Sequence, residues 1–201
     1  MLKKLLAFAV TVSLMAGSAA TVSAAQMPRD ISGHWAEGMI TFAIRMGMFD
    51  DEPHLLERFE PDRSMMRVEL VGILNRLHHF TEEADVTFSD VSASSPYAVE
   101  LRRAVKAGFI TGDDRGRANP EGLLTRAEAA AMIYRIEKYP QASGESRKFR
   151  DFRDIPSWAV EAVDACVKKG VIKGDDQNRF RPNDRLTRAE VVALIYNLAF
   201  N

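Results

Sequence analysis

The sequence predicts an all-α protein made of three tandem helix–loop–helix units. A segment that recurs in matching register indicates the repetition, and apolar residues at helical spacing indicate that each copy contains helices. The loops between the paired helices are rich in Gly, Asp, Asn and Pro, which cannot continue either helix. We assign residues 26–81 to unit 1, 86–140 to unit 2 and 147–201 to unit 3.

Residues 1–25 are typical of a secretory signal peptide. Lys3 and Lys4 precede an apolar run from Leu5 to about Ala16, and small residues follow up to Ala25. This run is short for a spanning helix, and no later stretch approaches the roughly 20 apolar residues that a span needs. We therefore expect an exported protein with no membrane span in its mature form.

Composition narrows the classes of function. Without the two leader lysines, 27 basic and 28 acidic residues become 25 and 28, a formal net charge of −3. That balance gives no reason to expect nucleic acid as a partner, so recognition of any anion must be local. Cys166 is the single cysteine, which excludes an intramolecular disulfide framework, and we expect it to be a buried helix residue.

Units 2 and 3 show the clearest repetition. Gly108 and Gly170 each begin a Gly-x-x-x-Gly-Asp-Asp segment, and Thr-Arg-Ala-Glu follows both at the same interval, starting at Thr125 and Thr187. In unit 3 the first helix ends at Gly170, which suits a left-handed cap, and the second begins at Thr187. Each unit is too short to bury much alone, so we expect the three first helices to pack jointly into a common core.

Unit 1 is a drifted copy. Trp35 stands as far before Gly47 as Trp158 stands before Gly170, but Met-Arg-Val-Glu at 66–69 replaces Thr-Arg-Ala-Glu. Because Met66 has no hydroxyl, we expect Ser64 or Asp62 to cap the second helix, which would shift its start and displace Arg67.

Thr-Arg-Ala-Glu has the form of a capping box. The threonine hydroxyl accepts from the glutamate N–H while the glutamate carboxylate accepts from the threonine N–H. Thr125 with Glu128, and Thr187 with Glu190, should therefore begin their helices.

The arginine of this motif opposes the helix dipole, which costs a few tenths of a kcal/mol unless a partner offsets it. One interpretation of Arg126 and Arg188 is a receptor for a carboxylate or phosphate, with the guanidinium beside unpaired N–H groups. The other is a salt bridge to a nearby acid such as Asp113 or Asp175. We expect the groove that uses Arg67 to be the weakest or most altered.

The tryptophans, the Asp-rich loops and the histidines are the other candidates for binding residues. Trp35 and Trp158 could stack on sugar rings, although a tryptophan on an apolar stripe is more often core. The Asp-rich loops lack a calcium-binding pattern, and the histidines form no zinc motif, so we expect neither metal nor cofactor. No catalytic motif stands out. The repeats account for the chain without a catalytic domain, so we expect no enzyme.

These motifs resemble the S-layer homology family. The match rests on an opening aspartate (Asp30, Asp90, Asp154), a Gly-x-x-x-Gly-Asp loop, Phe-x-Pro and Thr-Arg-Ala-Glu, and it runs from about Asp30 to Phe200. Departures are Ala118 in place of phenylalanine in unit 2, and the missing Gly-Asp and threonine in unit 1.

The resemblance implies a pseudo-threefold bundle whose first helices lie at the centre and whose second helices and loops form three prongs. It also implies grooves that bind an anionic, often pyruvylated, secondary cell-wall polysaccharide. Arg67, Arg126 and Arg188 would meet the ligand carboxylate with help from the Gly112 and Gly174 loops. The implied role is a cell-wall anchor at the surface of a bacterium. The alternative is a structural envelope or S-layer protein that acts by self-association, and a wall hydrolase ranks last.

Overall fold

The computed structural model describes residues 27–49 and 57–200. Within those ranges it contains helices, short 3-10 turns and three isolated β-bridges, but no extended strand. The predicted all-α class is confirmed. The helices are α1 (Glu37–Arg45), α2 (Arg67–Leu77), α3 (Ala98–Lys106), α4 (Arg126–Glu137), α5 (Val160–Lys168) and α6 (Arg188–Phe200).

The predicted signal peptide lies outside the described residues. In the part of the chain that the structure covers, every helix is too short or too polar to cross a bilayer.

The second helix of each unit packs against the first helix of the following unit. Helix α2 contacts α3, α4 contacts α5, and α6 returns to contact α1. The partners of each helix therefore come from another unit, and the contacts run in a cycle.

A closed ring of backbone hydrogen bonds joins the three units just before their second helices. The Met65 N–H donates to the Leu186 carbonyl, the Leu186 N–H to the Leu124 carbonyl, and the Leu124 N–H to the Met65 carbonyl, each at 2.9 Å. All three residues are buried. Unit 1 takes part in this ring on equal terms despite its drifted sequence.

The second helices are buried on most of their faces, and so is α5, the first helix of unit 3, which buries six consecutive residues from Ala162 to Val167. Five residues within the first eight of α6 are buried and apolar: Ala189, Val191, Val192, Leu194 and Ile195. By contrast, α3 buries one stripe, Ala98, Leu101 and Ala104. Burial therefore varies among the first helices, and the expectation that they pack jointly into a common core stays a prediction.

An aspartate at the opening of each unit clamps the loop before the second helix. Its two carboxylate oxygens accept the N–H groups of two consecutive residues, at 2.7 to 2.9 Å in all three units. The second residue of each pair has a positive φ, a costly conformation that the carboxylate stabilises. The sets are Asp30 with Phe59 and Glu60, Asp90 with Ala118 and Asn119, and Asp151 with Phe180 and Arg181.

The clamp of unit 3 corrects the sequence assignment. Asp151 occupies the position that the sequence assigned to Asp154, whose exposed side chain lies away from the loop and whose N–H donates to the Asp151 carbonyl. Unit 3 has two more residues than unit 1 between the aspartate and the tryptophan. An Asp-Ile dipeptide inside that insertion resembled the opening of unit 1.

Candidate functional site

The N-termini of the second helices are capped by carbonyls of another unit. The Arg188 N–H donates to the Arg63 carbonyl at 2.9 Å, and the next N–H, of Ala189, donates to the Pro61 carbonyl at 2.9 Å. Helices α2 and α4 are capped in the same way by units 2 and 3. The interpretation of these helix starts as an anion receptor assumed unpaired N–H groups, and that assumption is wrong for the first two N–H groups of each helix. The proline of each Phe-x-Pro or Ala-x-Pro turn supplies one of the carbonyls.

The capping glutamates bond locally as well. The Thr125 N–H donates to Glu128 at 2.8 Å and the Thr125 hydroxyl accepts from the Glu128 N–H at 3.3 Å. Thr187 and Glu190 make the same pair of bonds at 3.0 and 3.2 Å.

Unit 1 keeps the glutamate bond of this capping box and lacks the hydroxyl bond. The Met66 N–H donates to Glu69 at 2.6 Å, and Met66 lies at the N-cap in an extended conformation. The expected shift of the helix start to Ser64 or Asp62 is wrong, because α2 begins at Arg67 as α4 and α6 begin at their arginines. Capping from unit 2 sets this start without a hydroxyl.

Two of the three arginines contact the capping glutamate of the next unit, and the third bonds to a carbonyl there. Arg67 Nη1 lies 3.4 Å from Glu128, and Arg188 Nη1 lies 3.5 Å from Glu69. Arg126 donates to the Lys173 carbonyl at 2.5 Å. Its pKa is lowered by burial, and the charge of Glu190 opposes that shift.

The salt-bridge interpretation therefore named the wrong acids. Asp113 pairs with Arg117, and Asp175 pairs with Arg179 and Arg181. Sequence spacing favoured these loop aspartates because the true partners lie one unit away along the chain.

The arginines differ in burial and in their aromatic contacts. Arg188 is 1% exposed and lies over the rings of Phe59, at 4.7 Å, and Phe49, at 5.8 Å. Arg126 is 9% exposed and lies 5.5 Å from the Phe180 ring. The Arg67 side chain is 16% exposed, and within the described residues no aromatic ring lies over it.

The absence of a ring over Arg67 follows from the sequence of unit 2. Ala118 stands at the clamp position that phenylalanine holds in units 1 and 3. Burial lowers the pKa of Arg67, and the Glu128 charge opposes this. Unit 1 departs from the other units at the start of its second helix, and unit 2 departs from them at Ala118. Both departures lie at the same contact, the one between Arg67 of unit 1 and Glu128 of unit 2.

An open cleft of about 480 Å³ lies between α2 and α3, with Arg188 at its back. Arg63, Glu60 and Glu69 line one part of it, and Tyr97 lines another. It combines guanidinium donors, carboxylate acceptors and an aromatic ring, the groups that recognise a charged sugar.

Trp35 and Trp158 are exposed, at 61% and 57%. The interpretation of these tryptophans as core is wrong. The neighbouring alanines, Ala36 and Ala159, are fully buried and take the inward position at the start of each first helix.

Gly112 and Gly174 pack tightly against a phenylalanine of their own unit. A β-carbon at Gly112 would lie 3.1 Å from Phe88, and one at Gly174 would lie 2.6 Å from Phe149. These glycines therefore have a packing role whether or not a ligand approaches them. Cys166 is buried as expected, and burial raises the pKa of its thiol to about 12.

Residues 87–130 and 148–192 match the S-layer homology domain. The chain belongs to the S-layer homology family. It is 32% identical to the Amylopullulanase of Thermoanaerobacterium thermosulfurigenes, over 84% of this chain and 9% of that protein. It is 27% identical to the Surface-layer 125 kDa protein of Lysinibacillus sphaericus, over 94% of this chain and 16% of that protein. It is 30% identical to a Cellulosome-anchoring protein of Acetivibrio thermocellus, over 68% and 32% respectively.

The chain thus spans between 9% and 32% of the length of these relatives. The enzyme among them matches only in its S-layer homology region, so the similarity does not extend to a catalytic domain. The S-layer homology domains and the surface-layer relatives indicate a non-enzymatic module of the cell surface.

Proposed function

We propose that this chain attaches non-covalently to an anionic, pyruvylated secondary cell-wall polysaccharide. Family membership and the similarity to a Cellulosome-anchoring protein support attachment to the wall. The observation that carries the choice of ligand is the cleft between α2 and α3, which places a buried guanidinium, Arg188, behind an opening of about 480 Å³.

In this proposal Arg67, Arg126 and Arg188 provide the cationic side of the three inter-unit contacts. The Gly112 and Gly174 loops shape the approach, and the exposed rings of Trp35 and Trp158 offer flat apolar surfaces to sugar rings. The contact that uses Arg67 differs most from the others, because no ring packs over its guanidinium.

The test is a binding titration with purified wall polysaccharide, native and chemically depyruvylated. Native polymer binds and the depyruvylated polymer binds at least tenfold more weakly, since a lost charge-assisted hydrogen bond is worth about 1.5–3 kcal/mol. Undiminished binding to the depyruvylated polymer contradicts the proposed recognition.

A second titration compares Arg67→Ala, Arg126→Ala and Arg188→Ala at a temperature where circular dichroism shows all three folded. Arg67→Ala lowers binding least, because its contact is the most altered. Equal losses in the three variants contradict that ranking.

Self-association is the second candidate, and a surface cluster of aromatic rings favours it. The Phe42, Tyr196 and Phe200 rings lie 4.5 to 5.4 Å apart, and Phe200 is exposed at the end of α6. Analytical ultracentrifugation of the wild type and Phe200→Ser tests it. A monomer at every concentration excludes this mode of assembly.

A further inference from the structure

The capping glutamates of units 1 and 3 each lie between two arginines. Glu69 contacts Arg188 from unit 3 and bonds to Arg63 from its own loop. Glu190 lies 3.5 Å from Arg181 of its own loop, and its charge opposes the lowering of the pKa of Arg126 from unit 2. We call Arg188 and Arg126 the inner arginines, and Arg63 and Arg181 the outer arginines.

The inner and outer arginines differ in exposure. The Arg188 side chain is 2% exposed, whereas the side chains of Arg63 and Arg181 are each 35% exposed. A ligand arriving from solvent can therefore touch an outer guanidinium without moving the protein. The inner guanidiniums are screened by phenylalanine rings.

Arg181 also keeps hydrogen-bonding capacity. Arg181 lies 3.5 Å from each of three carboxylates, those of Asp175, Asp184 and Glu190. These distances exceed the roughly 2.7–2.9 Å of a charge-assisted hydrogen bond, so the contacts are electrostatic. A guanidinium has five N–H donors, and a ligand oxyanion can take those directed outward.

Arg63 lies on the wall of the cleft between α2 and α3. It bonds to Glu69, while its Nε is 3.6 Å from Glu60. Arg63, Glu69, Tyr97 and Arg188 line the same cleft. A substituent entering it meets Arg63 while Glu69 separates that side chain from the buried Arg188.

We infer that the outer arginines Arg63 and Arg181 bond directly to the anionic substituent of the wall polymer, a carboxylate or a phosphate, and that the inner arginines position the capping glutamates. This inference rests on the proposed function. Unit 2 has Gly122 and Asn119 at the positions of Arg63 and Arg181, so it has no outer arginine.

The experiment titrates purified wall polysaccharide into wild type, Arg63→Gln, Arg181→Gln and the matched control Arg45→Gln. Arg45 is exposed at the end of α1, and it does not line the described cleft. The control loses the same charge. Parallel titrations use polymer stripped of pyruvate and polymer stripped of phosphate, which identify the source of the anion.

Each outer variant binds native polymer roughly tenfold more weakly than wild type, as expected for one charge-assisted bond lost, and the control binds like wild type. When the polymer has been stripped of the recognised anion, the outer variants bind it as strongly as wild type does. Their melting temperatures stay close to that of wild type, whereas Arg188→Gln melts at a lower temperature because its charge is buried.

Binding by both outer variants within twofold of wild type overturns the inference and leaves the proposed function standing. Equal weakening in Arg45→Gln also overturns it, because the effect would then come from net charge. Failure of wild type to bind native polymer overturns the proposed function, and this inference with it.

Discussion

Helix α2 of unit 1 and helix α6 of unit 3 begin in the same way although their local sequences differ. Thr187 caps α6 with a hydroxyl, and Met66 at the same place has none. Both helices nevertheless start at the arginine that follows, where the N–H donates to another unit at 2.8 Å for Arg67 and 2.9 Å for Arg188. Main-chain partners from a neighbouring unit therefore fix the start of these helices. The local capping box adds to a start that those partners already set.

The largest expected difference between the two helix starts lies in the arginines themselves. Arg188→Ala lowers the free energy of unfolding by about 3–5 kcal/mol, because it leaves Glu69 with one fewer cation and a cavity beside Phe59. Arg67→Ala costs about 1 kcal/mol, since that side chain is partly exposed and lacks a ring contact. Denaturant unfolding of both variants measures the difference. Equal costs would show that burial does not distinguish the two contacts.

The aspartate clamps provide a test in which units 1 and 3 should agree. Asp151→Ala removes the acceptor of two N–H groups and lowers the free energy of unfolding by about 2 kcal/mol, and Asp30→Ala has a similar effect. The matched control is Asp154→Ala, three residues away and exposed, which changes stability by less than about 0.5 kcal/mol. If Asp154→Ala lowered the free energy of unfolding more than Asp151→Ala does, Asp154 would again be the opening aspartate of unit 3, as the sequence suggested.

Exchanging the caps measures what the hydroxyl adds. Thr187→Ala costs about 0.5–1 kcal/mol, near the low end for an N-cap, because the inter-unit bonds remain. Met66→Thr stabilises unit 1 by a similar or smaller amount. Thermal unfolding of the two variants and of their combination provides the measurement. A cost near 2 kcal/mol for Thr187→Ala would mean that the local cap dominates.

The smallest effect concerns the Asp-rich loops of units 2 and 3. The hydrogen bond from the Arg117 side chain lowers the pKa of Asp113 to about 2 from an ordinary 3.8, and a backbone hydrogen bond from Arg179 lowers that of Asp175. A carboxyl with a depressed folded-state pKa adds stability above its unfolded pKa and loses it as the pH falls toward the folded value.

Asp113→Asn should therefore flatten the dependence of unfolding on pH slightly between about 4 and 2, and leave its slope near pH 7 unchanged. Denaturant midpoints of wild type and variant across this range provide the measurement. An altered slope only above pH 5 would point to another group.

Local chemistry predicted much of this fold, and contacts between units account for most of what it missed. The helical class and the burial of Cys166 follow from periodicity and spacing within short windows. The partners of Arg67 and Arg188, and the carbonyl groups that cap the second helices, depend on residues a whole unit away. The exposure of Trp35 and Trp158 was missed because a one-residue rotation places the adjacent alanine inward instead.

The ring formed by Met65, Leu124 and Leu186 has no first or last member. Deleting unit 3 would leave the Met65 N–H and the Leu124 carbonyl without their partners in a dry interior, and such groups cost about 1–3 kcal/mol each. Three copies are thus the smallest number that closes the circuit, and fragments with one or two should unfold or associate to supply the missing copy. Because each copy contributes its backbone to this closure, the hydroxyl at the next position is dispensable, and unit 1 carries Met66 there while remaining indispensable.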